Sequence, residues 1–318
     1  MDHLAGDIGG TNARFATYVD GVRTGSVDLS TPQYADAQEM LADAVKALPR
    51  RAFDACCLAV AGPVFGNEAK LTNAGITFSA DAVAATTASA RALLVNDMVA
   101  LGAAIAELPA SRFERLSGRA RLSGRACREQ ATRGVLAAGT GLGMGIVVDG
   151  RCLPSEGGHA RVAPAGDFER ELVAVTEREC GEPVSWEHYL SGRGLVALYR
   201  AVNVLWGAKA NWTSPEEVIE HGDDGSDPVC DTTLETWSGL LATAAGGLAV
   251  TALTLGGIYL AGGVAVAVQD RLRTPLFRRR FEDAAWAADY LSDLPVYLVA
   301  DPHTALDGAA AIAARTAH

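Results

Sequence analysis

A glycine-rich turn occurs twice in this chain, and each copy is followed by an apolar run and an Asp-Gly pair. The turn, the run and the pair are residues 6–12, 13–19 and 20–21 in the first copy, and 138–143, 144–148 and 149–150 in the second. Asp-Gly between apolar runs is a strong signal for a β-hairpin. Glycines let successive backbone N–H groups approach an anion. One such turn often only closes a loop, but the pair predicts two phosphate-binding hairpins on facing lobes.

The length of the chain and the order of its predicted elements indicate two α/β domains. The chain has 318 residues, enough for one large domain or two ordinary ones. Strands and helices alternate over the first hundred residues, which is typical of a sheet with helical crossovers. We expect a small α/β domain at residues 1–110 and 300–318, with a last helix at 304–315 packed back on it. The remaining residues, 111–299, form a large α/β domain.

The charge balance argues against nucleic acid as a partner. The chain has 27 Lys and Arg residues against 38 Asp and Glu residues, a net charge of −11, whereas a nucleic-acid footprint needs a basic face. Phosphate must therefore be bound mostly by backbone amides and a metal ion. The six cysteines show no C-x-x-C spacing, and no basic segment precedes an apolar stretch at the N-terminus. We therefore expect a reduced protein of the cytoplasm.

One uncharged segment, residues 236–269, has the length of a membrane span. Glycine pairs interrupt it, and the rest of the chain has the composition of a soluble protein. We therefore expect no membrane association. The segment is better interpreted as a buried helix at 231–255, ended by Gly256-Gly257, and a buried strand at 258–261.

A second unusual segment, residues 111–133, contains seven arginines and a short internal repeat. Charged stretches rich in Ser and Gly are usually exposed, so we interpret it as a solvated interdomain loop. A basic patch for an anionic regulator is the alternative.

Asn96 and Asp97 directly follow a predicted strand at 92–96 and precede a predicted helix at 99–107. Ligands of open α/β sheets gather at the carboxyl ends of strands. A carboxylate there can accept a proton from an attacking hydroxyl, and an amide can orient the substrate. The alternative is structural, because Asn and Asp are also good helix N-caps.

Two further groups of polar residues suit a ligand that carries several hydroxyls. Glu156 and His159 flank a flexible glycine pair, so both side chains can meet one ligand. The alternatives are a surface turn and a metal site, although a di-iron site needs a second Glu-x-x-His pair. Glu187 lies beside aromatic residues, where a solvated helix position is the alternative. Hydrogen bonds to charged groups contribute about 1.5–3 kcal/mol each.

These motifs together identify a family resemblance over nearly the whole chain. The chain resembles the bacterial glucokinases of the hexokinase and actin-like ATPase superfamily, in the branch that lacks the cysteine zinc motif of the ROK family. The matching segments are residues 6–14, 61–64, 71–73, 96–97, 139–143, 156–159, 190–192 and 261–264. The resemblance implies a two-domain actin-like ATPase (ribonuclease H-like) fold, with duplicated phosphate-binding hairpins and a cleft between the domains.

The resemblance also implies a role for each site residue. Asp97 is the base for the 6-hydroxyl of glucose, and Asp7 holds Mg²⁺ through water. The sugar is bound by Asn96, Glu156, His159, Glu187, Thr72 and Asn73. The phosphates and adenosine of ATP are bound by Gly6, Asp7, Ile8, Gly9, Gly10, Thr11, Asn12, Gly139, Thr140, Gly141, Gly143, Gly262 and Gly263. One departure is the His-Ala-Arg sequence at 159–161, where the family has an Asp after His-x, so the support of His159 differs.

The activity implied is transfer of the γ-phosphate of ATP to glucose by a homodimeric enzyme that needs ATP and Mg²⁺. Alternatives are a kinase of mannose, glucosamine or fructose, a catalytically weak sugar sensor on the same fold, and an ATPase that hydrolyses ATP without sugar.

Overall fold

A computed structural model describes residues 1–49, 52–71, 74–118 and 131–316. The strands are β1 (Asp2–Ile8), β2 (Asn12–Val19), β3 (Val22–Ser30), β4 (Ala55–Val60), β5 (Val64–Phe65), β6 (Glu68–Lys70), β7 (Thr77–Ser79), β8 (Ala92–Asn96), β9 (Glu114–Ser117), β10 (Arg133–Ala138), β11 (Leu142–Val148), β12 (Arg151–Ser155), β13 (Ile258–Ala261) and β14 (Val296–Leu298). The helices are α1 (Ala37–Ala47), α2 (Ala80–Thr87), α3 (Asp97–Glu107), α4 (Gly166–Cys180), α5 (Gly192–Trp206), α6 (Pro215–Asp223), α7 (Pro228–Ala252), α8 (Gly263–Ala267), α9 (Gln269–Leu272), α10 (Pro275–Glu282), α11 (Ala288–Asp293) and α12 (Thr304–Thr316).

The described residues group into two compact units. The first takes them from Met1–Ala110, Gly150–Pro154 and Asp301–His318, and the second from Ser111–Asp149 and Ser155–Ala300.

The first unit is built on a five-stranded mixed sheet with the strand order β3-β2-β1-β4-β8. β2 is antiparallel to β1 and β3, whereas β1, β4 and β8 are parallel. Ile8, Val60 and Asn96 lie side by side at the ends of these parallel strands. The segments that follow them therefore share one edge of the sheet.

Helices cover both faces of this sheet, because alternate residues of a strand point to opposite sides. Leu4 of β1 packs in the cluster that contains residues of α1, whereas its neighbour Ala5 packs with α12. The α12 side is lined by small residues, and α12 approaches α3 very closely. A Cβ on Gly308 of α12 would lie 1.8 Å from the carbonyl oxygen of Ala100. A glycine is therefore required at this crossing.

The second unit contains a sheet in which β11, β10, β13, β14 and β9 are neighbours in this order. β10 and β11 are antiparallel, β10, β13 and β14 are parallel, and β9 is antiparallel to β14. The long helix α7 is largely buried and contacts α5, α6 and α10. The predicted buried helix and the strand at 258–261 are thus confirmed.

The Asp-Gly pairs have the backbone conformation that a two-residue hairpin turn requires. The φ angles are 48° and 80° for Asp20 and Gly21, and 49° and 75° for Asp149 and Gly150. Type I′ turns need positive φ at both central residues, which Asp and Gly tolerate. The prediction of turns at these two positions is confirmed.

Two sequence-based expectations are wrong. Residues 114–117, expected in a solvated loop, form β9 at the edge of the second sheet; residues 119–130 of that segment lie outside the described residues. Helix α7 ends with Leu253 in the left-handed conformation (φ 48°), not at Gly256-Gly257. The glycines serve close packing instead, because a Cβ on Gly256 would lie 2.9 Å from the carbonyl oxygen of Ala131.

No helix within the described ranges has both the length and the apolar character needed to cross a membrane.

Candidate functional site

Two acidic residues lie at the carboxyl edge of the first sheet. Asp7 is the penultimate residue of β1, and Asp97 begins α3 directly after β8. Arg14 lies opposite Asp7 on β2, with its guanidinium 3.7 Å from the Asp7 carboxylate and 3.8 Å from that of Asp28. This arrangement places two carboxylates and one cation where a bound nucleotide or sugar is expected.

The pKa of Asp7 is strongly perturbed. Its side chain is only 18% exposed, and burial, followed by the negative charge of Asp97, raises the pKa of Asp7 to about 6, while Arg14 acts in the opposite direction. Burial and a like charge both disfavour the ionised form. A carboxylate in this state gains from a cation placed beside it, and such perturbed groups are concentrated at functional sites.

Asn96 has the structural role that the sequence left open. Its side-chain oxygen caps α3 by accepting from the Met98 N–H at 2.9 Å, and its amide nitrogen donates to the Gly62 carbonyl at 3.2 Å. Asp97 Oδ1 also accepts from the Met98 N–H at 2.9 Å. The capping interpretation of Asn96 is therefore confirmed, and the same contacts fix where the Asp97 carboxylate stands.

The first glycine turn connects β1 to β2 and is held by backbone hydrogen bonds. The Gly9 N–H donates to the Asn12 carbonyl at 2.9 Å, and the buried Thr31 hydroxyl donates to the Gly9 carbonyl at 2.8 Å. Thr11 and Asn12 are exposed on the turn. Gly6 and Ile8 are instead buried in the sheet, and a Cβ on Gly6 would lie 2.6 Å from the Leu58 side chain. This close packing requires a glycine at position 6.

The second glycine turn, residues 138–143, connects β10 to β11 and is fixed by neighbouring segments of the second unit. Within it the Gly139 N–H donates to the Gly141 carbonyl at 2.9 Å, and the Gly139 carbonyl accepts from the Gly192 N–H at 2.8 Å. Gly262, with φ 92°, lies against Ala138 so closely that a Cβ would be 2.2 Å from the Ala138 carbonyl oxygen. Gly263 then begins α8.

Glu187 and the 156–159 turn both lie against the second glycine turn. Glu187 is half-buried, and its Oε2 accepts from the Leu142 N–H at 2.9 Å. Residues 157–159 form a 3₁₀ turn, in which a Cβ on Gly158 would lie 2.1 Å from the Leu142 carbonyl oxygen. The structure thus brings Glu156, His159 and Glu187 to the same end of the sheet.

Glu156 and His159 form an exposed pair. The His159 Nε2 lies 3.7 Å from a Glu156 carboxylate oxygen. The side chain of His159 is 63% exposed, and that of Glu156 is 88% exposed. Among the described residues, no group of three or more His, Cys, Asp or Glu side chains is arranged to hold a metal ion.

The predicted site residues divide between the two units. Asp7, Asn96 and Asp97 belong to the first unit; Glu156, His159, Glu187, Gly262 and the second glycine turn belong to the second. Thr72 and Asn73 lie outside the described residues. The sequence did not assign a role to Arg14 or Thr31. Arg14 lies two residues beyond the first glycine turn, and strand alternation places it on the same face as the last residue of that turn, which is a signal in the sequence. No local signal marks Thr31.

The chain is similar over nearly its whole length to known proteins of one family. A family model described as glucokinase matches residues 4–316. A glucokinase of Nitrobacter hamburgensis is 38% identical over 313 residues, which cover 96% of this chain and 95% of that protein. A glucokinase of Chromobacterium violaceum is 36% identical over 313 residues, with coverage of 97% and 88%.

Solved structures have the same fold. The crystal structure of glucokinase from an Antarctic psychrotroph superposes with a TM-score of 0.82 at 29% identity and 99% coverage of both chains. A ROK family glucokinase from Streptomyces griseus, in complex with glucose and AMPPNP, has a TM-score of 0.67 at 21% identity, with coverage of 99% and 100%.

The family match, together with the fold shared with a solved glucokinase, defines an ATP-dependent sugar kinase with a fold of the actin-like ATPase class. The chain belongs to the glucokinase family.

Proposed function

We propose that the enzyme transfers the γ-phosphate of ATP to the 6-hydroxyl of glucose, with Asp97 as the general base. The position of Asp97 carries the proposal: it follows a parallel strand at the sheet edge, and Met98 and the capped start of α3 hold its carboxylate. Asp97 would accept the hydroxyl proton while the sugar oxygen attacks phosphorus and ADP leaves. Catalysis of this kind rests on positioning and electrostatic stabilisation.

The sugar is bound, in this proposal, by six polar residues: Asn96, Glu156, His159, Glu187, Thr72 and Asn73. The exposure of Glu156 and His159 supports their part in it, since both polar groups remain accessible to a ligand. Carboxylates can each accept from one or two sugar hydroxyls, which gives strong, oriented hydrogen bonds.

The phosphates of ATP are bound, in this proposal, by the two glycine turns. The exposed residues Thr11 and Asn12 support this role for the first turn. For the second turn, the open space beside Gly139, where a Cβ would meet no atom within 4 Å, leaves room for a phosphate. Gly262 and Gly263 would lie against adenosine.

The residues present fit a magnesium ion. Asp7 carries a carboxylate that burial and Asp97 make costly to ionise, so a divalent cation beside it relieves the repulsion. Asp7 would hold Mg²⁺ through water, together with the phosphates, and the ion would neutralise phosphate charge.

We further propose that the two units are the small and large domains of the actin-like fold, with the glycine turns as duplicated phosphate-binding hairpins that face a common cleft. The enzyme would act in the cytoplasm as a homodimer. The division of the proposed sugar ligands between the units supports closure of the domains on glucose before transfer.

A coupled assay of ADP release, with and without a panel of hexoses, tests the activity. We expect ADP release that depends on glucose and is weaker with mannose, glucosamine or fructose. Hydrolysis of ATP at the same rate without sugar would indicate an ATPase. Tight binding of glucose without any ADP release would indicate a sugar sensor, and either result would contradict the proposal.

A further inference from the structure

The peptide groups of Leu142, in the second glycine turn, are contacted from both sides by segments that carry proposed sugar ligands. Its N–H donates to Glu187 Oε2 at 2.9 Å. Its carbonyl oxygen lies so near Gly158 that a Cβ there would be 2.1 Å away, and Gly158 is in the turn between Glu156 and His159. The phosphate turn and the sugar ligands of this unit therefore share one anchoring residue.

A single segment, residues 186–194, holds both ends of the phosphate turn. Glu187 binds the Leu142 N–H at one end, and the Gly192 N–H donates to the Gly139 carbonyl at 2.8 Å at the other. The segment is stiffened by Ser191, whose hydroxyl donates to the Glu187 carbonyl at 2.9 Å and accepts from the Gly194 N–H at 3.0 Å. Movement of Glu187 should therefore be transmitted to the turn.

Glu187 itself is held in place by a short antiparallel pairing. The Trp186 N–H donates to the Ala160 carbonyl, and the Val162 N–H donates to the Val184 carbonyl, both at 3.0 Å. These bonds bring residue 187 back to the end of β10 and β11 from far along the chain. Among the described residues, Oε1 of Glu187 has no hydrogen-bond partner, whereas Oε2 is bound to Leu142.

We propose that Glu187 is a positioning residue for the phosphate turn as well as a sugar ligand. One carboxylate oxygen holds the Leu142 N–H, and the other accepts from a sugar hydroxyl, so that glucose fixes the turn that binds ATP. This inference rests on the proposed function. It requires that bound glucose tightens nucleotide binding, and that bound nucleotide tightens glucose binding by the same factor.

Gly141 offers a way to break this contact while the Glu187 carboxylate itself is retained. A Cβ on Gly141 would lie 2.6 Å from Glu187 Oε2, and its three nearest heavy atoms all belong to the Glu187 carboxyl group. Gly141 does not have a positive φ, so alanine fits its backbone. Gly141→Ala should therefore push the carboxylate away from the Leu142 N–H.

Gly139→Ala is the matched control in the same turn. A Cβ there would meet no atom within 4 Å, and Gly139 also lacks a positive φ. This variant can change the affinity for the nucleotide, but it should change it equally with and without glucose.

The test measures the dissociation constant of AMPPNP by calorimetry, with and without saturating glucose, in the full-length enzyme. For the unmodified enzyme we expect glucose to tighten AMPPNP binding about 5- to 150-fold, the usual range for coupled sites. Gly141→Ala should reduce this factor, and Gly139→Ala should keep it. Glu187→Gln keeps an oxygen acceptor for the Leu142 N–H, so glucose should tighten AMPPNP binding more in this variant than in Glu187→Ala. Both variants should weaken glucose binding.

A Gly141→Ala enzyme that retains the full factor would overturn the inference. If Gly141→Ala does not fold, Glu187→Ala replaces it in the test, and a Glu187→Ala enzyme in which glucose tightens AMPPNP binding by an unchanged factor would also overturn the inference. An unmodified enzyme that phosphorylates glucose but shows no coupling would overturn the inference and leave the proposed function intact. Failure to phosphorylate glucose at all would instead refute the proposed function.

Discussion

Replacement of Asp7 by asparagine should stabilise the ligand-free enzyme, and the gain should grow as the pH rises. The pKa of Asp7 rises from 3.8 to about 6 on folding, because of burial and then the charge of Asp97. The folded protein thus binds this proton more tightly than the unfolded chain. The stability that Asp7 contributes is present below about pH 3.8, and it is lost as the pH rises through about 6. Asparagine has no such loss.

The size of the effect follows from the pKa difference and the low exposure of the side chain, 18%. At about 1.4 kcal/mol per pKa unit, the change from 3.8 to about 6 corresponds to about 3 kcal/mol at high pH. About half of it develops between about pH 5 and about pH 8. The advantage of Asp7→Asn should therefore grow by about 1.4 kcal/mol over that interval.

Urea denaturation of both proteins at the two pH values measures this difference. Asp283→Asn, which removes an exposed carboxylate between α10 and α11, controls for the loss of one negative charge. A stability difference between Asp7→Asn and the unmodified enzyme that does not change with pH, or that becomes smaller at the higher pH, would contradict a raised pKa of Asp7. The same substitution should abolish most kinase activity, because the ligand for the proposed magnesium ion is lost.

Two further predictions concern packing and a buried ion pair. Gly246→Ala should lower the free energy of unfolding by about 1–3 kcal/mol, because its Cβ would lie 2.6 Å from the Phe281 carbonyl oxygen. A Cβ on Gly247 would meet no atom within 4 Å, so Gly247→Ala should raise the free energy of unfolding by up to about 1 kcal/mol through helix propensity. Equal effects of the two substitutions on the midpoint of urea unfolding would contradict this. Glu169→Ala should cost about 3 kcal/mol, because the 7%-exposed carboxylate accepts from Arg280 and from the Ala165 N–H, and Glu169→Gln should cost less. Thermal unfolding that does not distinguish the two variants would be the contrary result.

Much of the fold could be predicted where local pattern and tertiary packing agree. The strands at 92–96 and 258–261 appear as predicted, because each is an apolar run bounded by polar residues or glycines. The Asp-Gly turns are likewise local, since the backbone conformation needed is one that these residues favour.

The features that sequence alone did not predict depend on contacts between distant segments. Helix α7 ends at Ala252 with Leu253 as its left-handed cap, and Gly256 and Gly257 allow close approach to neighbouring backbone instead. β9 looks like part of a charged loop, and only its pairing with β14 makes it a strand. The bond between Glu187 and Leu142 joins residues 45 positions apart, and no periodicity reports such a contact.

The site shows the same division. The sequence indicated Asn96 and Asp97 through their position after a strand, and both the helix cap and the shared sheet edge are present. The raised pKa of Asp7 could not be foreseen, because it depends on burial and on the Asp97 carboxylate at the start of α3.

The turnover number of Asp97→Asn, measured with saturating glucose and ATP alongside the dissociation constant for glucose, tests whether Asp97 is the general base. Asparagine retains an oxygen that can accept from the Met98 N–H, so the start of α3 should be preserved while the base is lost. We predict a turnover number lower by about 10²- to 10⁴-fold, with glucose affinity largely kept. A turnover number close to that of the unmodified enzyme would contradict the assignment of Asp97 as the general base.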